Sequence, residues 1–135
     1  MLHLTKVAVG CPDIETLARL QQERWGAEAC SLTRFMPKRA EELIGGSMFW
    51  IIRHRIVARQ QILSLEIVTT PWGVKCRVGL VPGPVPVVQV PRKAHQGWRY
   101  FEAGDAPGDA GGQYATDEEA LPVGMVRELQ SLWLL

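Results

Sequence analysis

Residues 47–81 constrain the fold most. Met48-Phe49-Trp50-Ile51-Ile52 is an unbroken apolar run, the pattern of a strand buried on both faces. Arg53-His54-Arg55 interrupts it as a turn, and Ile56 to Val68 resumes as a long second strand. From Gln61 that strand alternates, with Leu63, Leu65 and Ile67 expected on the inner face and Ser64 and Glu66 on the outer. Pro71-Trp72-Gly73 supplies another turn, and Val74 to Val81 returns as a third strand. Strands joined by short turns pair in sequence order, so the rest of the chain has to be arranged around an antiparallel meander.

The flanks add a strand and helices. Leu2 to Val9 alternates as a strand, with Leu2 and Leu4, and then Val7 and Val9, as its inward candidates. Pro12 suits the first position of a helix, and Asp13 and Glu15 favour its positive end. Ile14, Leu17, Ala18 and Trp25 form an apolar stripe, and Gly26 stops the helix. A second, short helix is expected from Pro37, burying Ala40, Leu43 and Ile44 and ending at Gly45-Gly46. Pro82, Pro84, Pro86 and Pro91 confine their segment to an extended surface run or an edge strand, because proline cannot donate to a ladder. Gln96 to Phe101 suits a last short strand. Glu102 to Gln113, rich in Gly, Ala and Asp, is expected to be a flexible internal loop without structure of its own. Pro122 opens a final helix over Leu121 to Leu135, with Val126, Leu129 and Trp133 along one side. The expectation is a single α+β domain over residues 1–135. Its sheet is mainly antiparallel and curled into a partial β-barrel, with about three helices.

Charge is unevenly distributed. Residues 34–99 hold eleven basic and three acidic side chains, whereas residues 100–135 hold one basic and seven acidic. A basic centre points to an anionic partner or to an acidic tail folded over it; the plainer reading is a mixed, solvated surface. Cys11, Cys30 and Cys76 are an odd number without paired spacing, which suits free thiols in a reducing cytoplasm. Ala8-Val9-Gly10-Cys11 faintly resembles a lipoprotein cleavage site, but only four residues separate Lys6 from Cys11, too few for a signal peptide's apolar region. No apolar run has the length of a membrane-spanning helix. No metal site is expected, because neither the cysteines nor the histidines stand at ligand spacing, and no motif implies a cofactor.

The candidate working surface is nucleic-acid-binding. Arg53, Arg55, Arg59 and Gln60 lie around one turn and strand and have the chemistry for phosphates and base edges. Gln96-Gly97-Trp98-Arg99-Tyr100 combines a glycine for close approach, two aromatics for stacking and a cation. Arg34, Lys38 and Arg39 precede or open the second helix and add three cations there. RNA, or a single nucleotide of it, fits better than duplex DNA, since no helix is basic enough to fill a major groove. The competing expectation is a protein-interaction or structural domain in which these arginines are paired with carboxylates and Trp98 closes the barrel.

Specific residues also carry a family resemblance. Thr33-Arg34, Pro37-Lys38-Arg39-Ala40-Glu41-Glu42-Leu43, Gly45-Gly46-Ser47, Trp50, Arg59-Gln60-x-Ile62-Leu63, Gln96 to Tyr100, Asp105-Ala106-Pro107 and Glu128-Leu129-x-x-Leu132 resemble the bacterial domain-of-unknown-function family 1489 over nearly the whole chain. His54 stands where that family usually has Gly, and His95 where it usually has Phe. The resemblance implies a single-domain protein and no activity. The order of elements is also similar to the PUA and ASCH group of small β-barrels, which implies binding of RNA or a modified nucleobase. By the same likeness, Thr33, Lys38 and Glu42 would be the residues of a small amidohydrolase, Lys38 and Glu42 meeting four apart on one helix face. An exposed ion pair is the plainer reading of those two.

Overall fold

The computed structural model describes residues 2–110. Among these residues, seven strands and two α-helices follow in the order β1 Leu2–Val7, α1 Ile14–Trp25, β2 Cys30–Thr33, α2 Ala40–Leu43, β3 Ser47–Ile52, β4 Arg55–Thr70, β5 Gly73–Leu80, β6 Val85–Pro91 and β7 Trp98–Glu102. The sheet is mixed, with the order β2-β5-β4-β3-β1-β7, and β6 pairs with β4 beside that path. The meander β3-β4-β5 pairs antiparallel as its turns require, β1 lies parallel to β3, and β7 returns antiparallel on β1. The proline-rich segment does pair, as β6, against the first half of β4.

β4 curls the sheet. Its first half lies between β3 and β6 and its second half pairs with β5, and register shifts occur at Trp50/Ile51, Ile56/Ala58 and Ile62/Ser64. Each such bulge adds local twist and bends the strand. The last one corrects the expected inner face: the shift falls at Leu63, which is exposed, while Leu65 faces inward opposite Val78. Ile67 lies opposite Cys76 but runs past the core and is exposed.

The turn between β3 and β4 is the two residues Arg53 and His54, both left-handed (φ 53° and 61°). This is the twist a two-residue hairpin favours, built here without glycine. At the other end of β3, Gly46 is obligatory: a Cβ there would run into the Leu2 carbonyl oxygen.

The main core fills the inside of the curl with Leu2, Leu4, Met48, Trp50, Ala58, Ile62, Val78 and Leu80, capped by Leu17 of α1 and Leu43 of α2. A smaller cluster on the outer face joins Phe49, Ile51, Ile56, Val87 and Phe101. α1 begins two residues later than its proline implies: Asp13 is the N-cap, its side chain accepting from the Thr16 amide at 2.7 Å, and Gly26 ends the helix as expected. Its inward face uses Leu17 and Gln21, with Trp25 partly exposed.

Four other expectations change. Cys30–Thr33 is an edge strand on β5, which the sequence analysis did not anticipate. The second helix starts at Ala40, so Lys38 lies outside it. β1 ends at Val7, and Val9 is exposed. Residues 103–110 have structure of their own, namely a 3-10 turn over Ala103–Asp105, an Asp109–Val87 bridge, and backbone bonds from Val88 to Gly108 and from Ala110 to Pro86. Residues 111–113 and the expected helix over 121–135 lie outside the described residues.

Candidate nucleic-acid interface

β7 separates two kinds of chemistry by its period of two. Trp98 and Tyr100 lie opposite Lys6 and Leu4 of β1 and share their face, whereas Arg99 and Phe101 lie opposite Thr5 and His3.

On the first face two aromatic rings meet, and the backbone of a third aromatic residue, Phe35, is tied to them. The Trp98 indole donates to the Phe35 carbonyl at 3.0 Å, and the Trp98 and Tyr100 rings meet edge-on at 4.9 Å. The Tyr100 hydroxyl accepts from the Arg39 backbone amide at 3.0 Å. The Arg39 guanidinium stands 5.5 Å over the Tyr100 ring, and that of Arg34 stands 5.4 Å over Phe35. Phe35 is 66% exposed. These contacts bring Arg34, Phe35 and Arg39 up to Trp98 and Tyr100, while Lys38 lies exposed in the connection before α2. Arg39 is not fully available. Glu42 holds it through two 2.7 Å bonds, with Glu102 3.9 Å away. That pairing draws the Glu42 carboxyl below its ordinary range, and it means that Glu42 meets Arg39 and not Lys38. Thr33 is buried, with its hydroxyl on the Phe35 carbonyl, so Thr33, Lys38 and Glu42 do not assemble as a constellation.

On the second face the segment between β6 and β7 forms a basic groove. A hollow of about 350 Å³ is lined by Thr5, Arg92, Lys93, His95, Arg99 and Phe101, among others. It shares Ala94 and His95 with a neighbouring hollow of about 460 Å³, which reaches Lys6 and Gly97. Among the described residues, no carboxylate lines either one. Arg92 lies 4.9 Å over the Phe101 ring, and His95 bonds the Thr5 hydroxyl at 2.9 Å. Burial, together with Arg99 and Arg92, pushes the His95 imidazole below its ordinary value, against the opposing effect of the Gln96 carbonyl. The Arg92 amide donates to the His54 carbonyl at 2.8 Å, and Arg55 is the ladder partner of Pro91. The backbone thereby draws Arg53 and Arg55 to the same end as Arg92.

Two predicted residues lie elsewhere. Arg59 is clamped by Asp109 at 2.6 and 2.8 Å and also donates to Ser47. Gln60 is 1% exposed inside the core. Its amide oxygen accepts from Gln21 and from the Trp50 indole, and its nitrogen donates to Gln21 and to the Val81 carbonyl. Arg92, Lys93 and His95 were missed as site residues, although a cation pair just before Gln96-Gly97-Trp98 was a visible signal. Among the described residues no group of three His, Cys, Asp or Glu side chains could hold a metal ion, and no helix is long and apolar enough to cross a membrane.

The fold and this edge define a small α+β domain with a curled mixed sheet and a basic, aromatic-flanked rim. The chain belongs to the family described as "Protein of unknown function (DUF1489)", whose model matches residues 4–135. Neither the curated proteins nor the solved structures yielded a match.

Proposed function

We propose that the protein binds single-stranded RNA across the β7 edge, as a PUA-like module of the reducing cytoplasm. The phosphate backbone lies along Arg92, Lys93 and Arg99, and a base turns over the edge to stack on Phe35 and Tyr100. The observation that supports this reading is the alternation along Trp98–Glu102, which puts the Trp98 and Tyr100 rings on one face of the strand and the Arg99 guanidinium on the other, beside a groove that no carboxylate of the described residues lines. Cations neutralising several phosphates make binding steeply salt-dependent, and stacking on an aromatic contributes about 1–3 kcal/mol per base. Fluorescence anisotropy with a labelled single-stranded RNA, at low and physiological salt, tests it. Arg99→Ala should weaken binding and flatten the salt dependence, and Phe35→Ala should weaken binding at every salt concentration. Absence of binding at low salt with micromolar protein, or indifference to Arg99→Ala, refutes the reading.

The tip of the β4–β5 hairpin favours a second reading. Ile67, Trp72 and Val74 are 65%, 79% and 63% exposed, and a contiguous apolar patch marks a protein contact. Self-association that Trp72→Glu abolishes, measured by sedimentation over a concentration series, supports that reading. A monomer at all concentrations removes it.

A further inference from the structure

Lys6 occupies a position that the RNA-binding surface does not explain. It continues the inner row of Leu2 and Leu4 on β1, with Trp50 and Trp98 as its ladder neighbours on β3 and β7. Its amine crosses to β2, 2.6 Å from the Ser31 hydroxyl and 2.8 Å from the Leu32 carbonyl. β1 and β2 share no ladder, so this side chain links the two sides of the open curl. Lys6 and Ser31 both line a cavity of about 250 Å³ between α1, β1 and β2, with Leu17, Leu20, Trp25 and Arg24 along the helix side.

We propose that Ser31 and Lys6 are a nucleophile and its general base, and that this cavity takes a small acyl ester bearing an anionic group for Arg24. Among the described residues, no carboxylate lines the cavity to hold the amine as an ammonium. Burial lowers the Lys6 amine to about 8, against smaller opposing effects from Cys30 and Cys76. The other titratable groups around the site are Arg24 and Cys11 on the helix side and His95 across the neighbouring hollow. Neutral Lys6 keeps one N–H on the Leu32 carbonyl, which turns its lone pair towards the Ser31 hydroxyl. That hydroxyl gives its proton to Lys6 as the Ser31 oxygen bonds to the ester carbonyl carbon. The ester C–O bond breaks and Lys6 returns the proton to the leaving alkoxide. Water, deprotonated by the same amine, cleaves the acyl-serine, which releases the carboxylic acid and restores both side chains. A hydroxyl beside a base within hydrogen-bond reach is the general geometry of an activated nucleophile.

The test uses a fluorophosphonate probe, with the modified residue mapped by mass spectrometry, alongside p-nitrophenyl acetate hydrolysis. Label should fall on Ser31 and on no other residue, and the rate should rise with pH to a plateau with a midpoint near 8. Ser31→Ala should abolish it. Lys6→Arg keeps donors for Ser31 and Leu32 but cannot act as a base, and it should slow labelling by about 100-fold or more. Arg19→Ala, exposed on α1, should leave the rate unchanged. The proposal fails if Ser31 stays unlabelled, or if Lys6→Arg folds and labels at the wild-type rate. Should Lys6→Arg not fold, the wild-type pH profile decides: a rate still climbing without a plateau above pH 10 overturns the proposal. None of these outcomes depends on RNA binding.

Discussion

Two polar links cross the same apolar core, and they differ in how completely they are satisfied. The Gln60 amide makes four bonds, to Gln21 twice, Trp50 and Val81, and uses its whole donor and acceptor capacity in a neutral, closed network. Lys6 carries a titratable group into the same interior, uses two acceptors on β2 and borders two hollows. A saturated neutral network fixes a packing arrangement, since any loss orphans several buried groups at once. A partly desolvated amine next to empty space keeps chemical potential in reserve, at a cost to stability. The first link holds α1 against the sheet, and the second holds a proton that can move.

The comparison would break first at Gln60. Gln60→Leu leaves the Trp50 indole, the Gln21 amide and the Val81 carbonyl without their partner, and should cost about 2–4 kcal/mol in urea unfolding. A loss below about 1 kcal/mol would show that water replaces the network freely. The Lys6 link should instead appear in pH dependence. Its folded value, about 8, lies below the ordinary lysine value, so the unfolded chain holds the proton more tightly. Stability should therefore rise with pH between about 8 and 10.5, by about 3 kcal/mol for this group alone. The three thiols, all raised by burial, act oppositely as pH climbs past the free thiol value. The difference between wild type and Lys6→Met isolates the lysine contribution.

Smaller effects calibrate the comparison with positions outside both links. His54→Gly relieves one left-handed side chain in the hairpin turn and should raise stability by about 1 kcal/mol in thermal or urea unfolding. Asp109→Asn removes an ion pair with Arg59 that is part-exposed on both sides and should cost less than about 1 kcal/mol. Arg59 holds the Asp109 carboxyl below its ordinary value, so this contribution is present at neutral pH and lost as the pH falls through the acid range. A larger loss at pH 7 would mean that Asp109 anchors residues 103–110 onto β6 as well.

Much of the fold was legible wherever one residue type decides the outcome. The run Met48–Ile52 is buried throughout, and Gly26 ends α1. The turns at residues 53–54 and 71–72 set the meander. β2 was not legible, because Cys30-Ser31-Leu32-Thr33 has no alternation and becomes a strand only through its pairing with β5. Of the candidate site, Trp98, Arg99 and Tyr100 were identified as a group, but their division between two faces follows from pairing with β1. Lys6 was within reach of the sequence. If Leu2 and Leu4 face inward, a period of two puts Lys6 there too, although composition favours Val7 and Val9.

The sequence by itself determined the strand-turn-strand centre, the first helix with its stop at Gly26, and the concentration of cations between residues 34 and 99. Those are local properties: side-chain periodicity, backbone restriction by Gly and Pro, and charge counted along the chain. Only the tertiary structure decided which of those cations are taken. Arg59 meets Asp109 and Arg39 meets Glu42, Gln60 disappears into the core, and Lys6 reaches a serine 25 positions away. The physical reason is that charge neutralisation and desolvation depend on distances of a few ångströms. Those distances are set by how β4 bends and how β1 and β2 curl towards each other, and no local pattern encodes them.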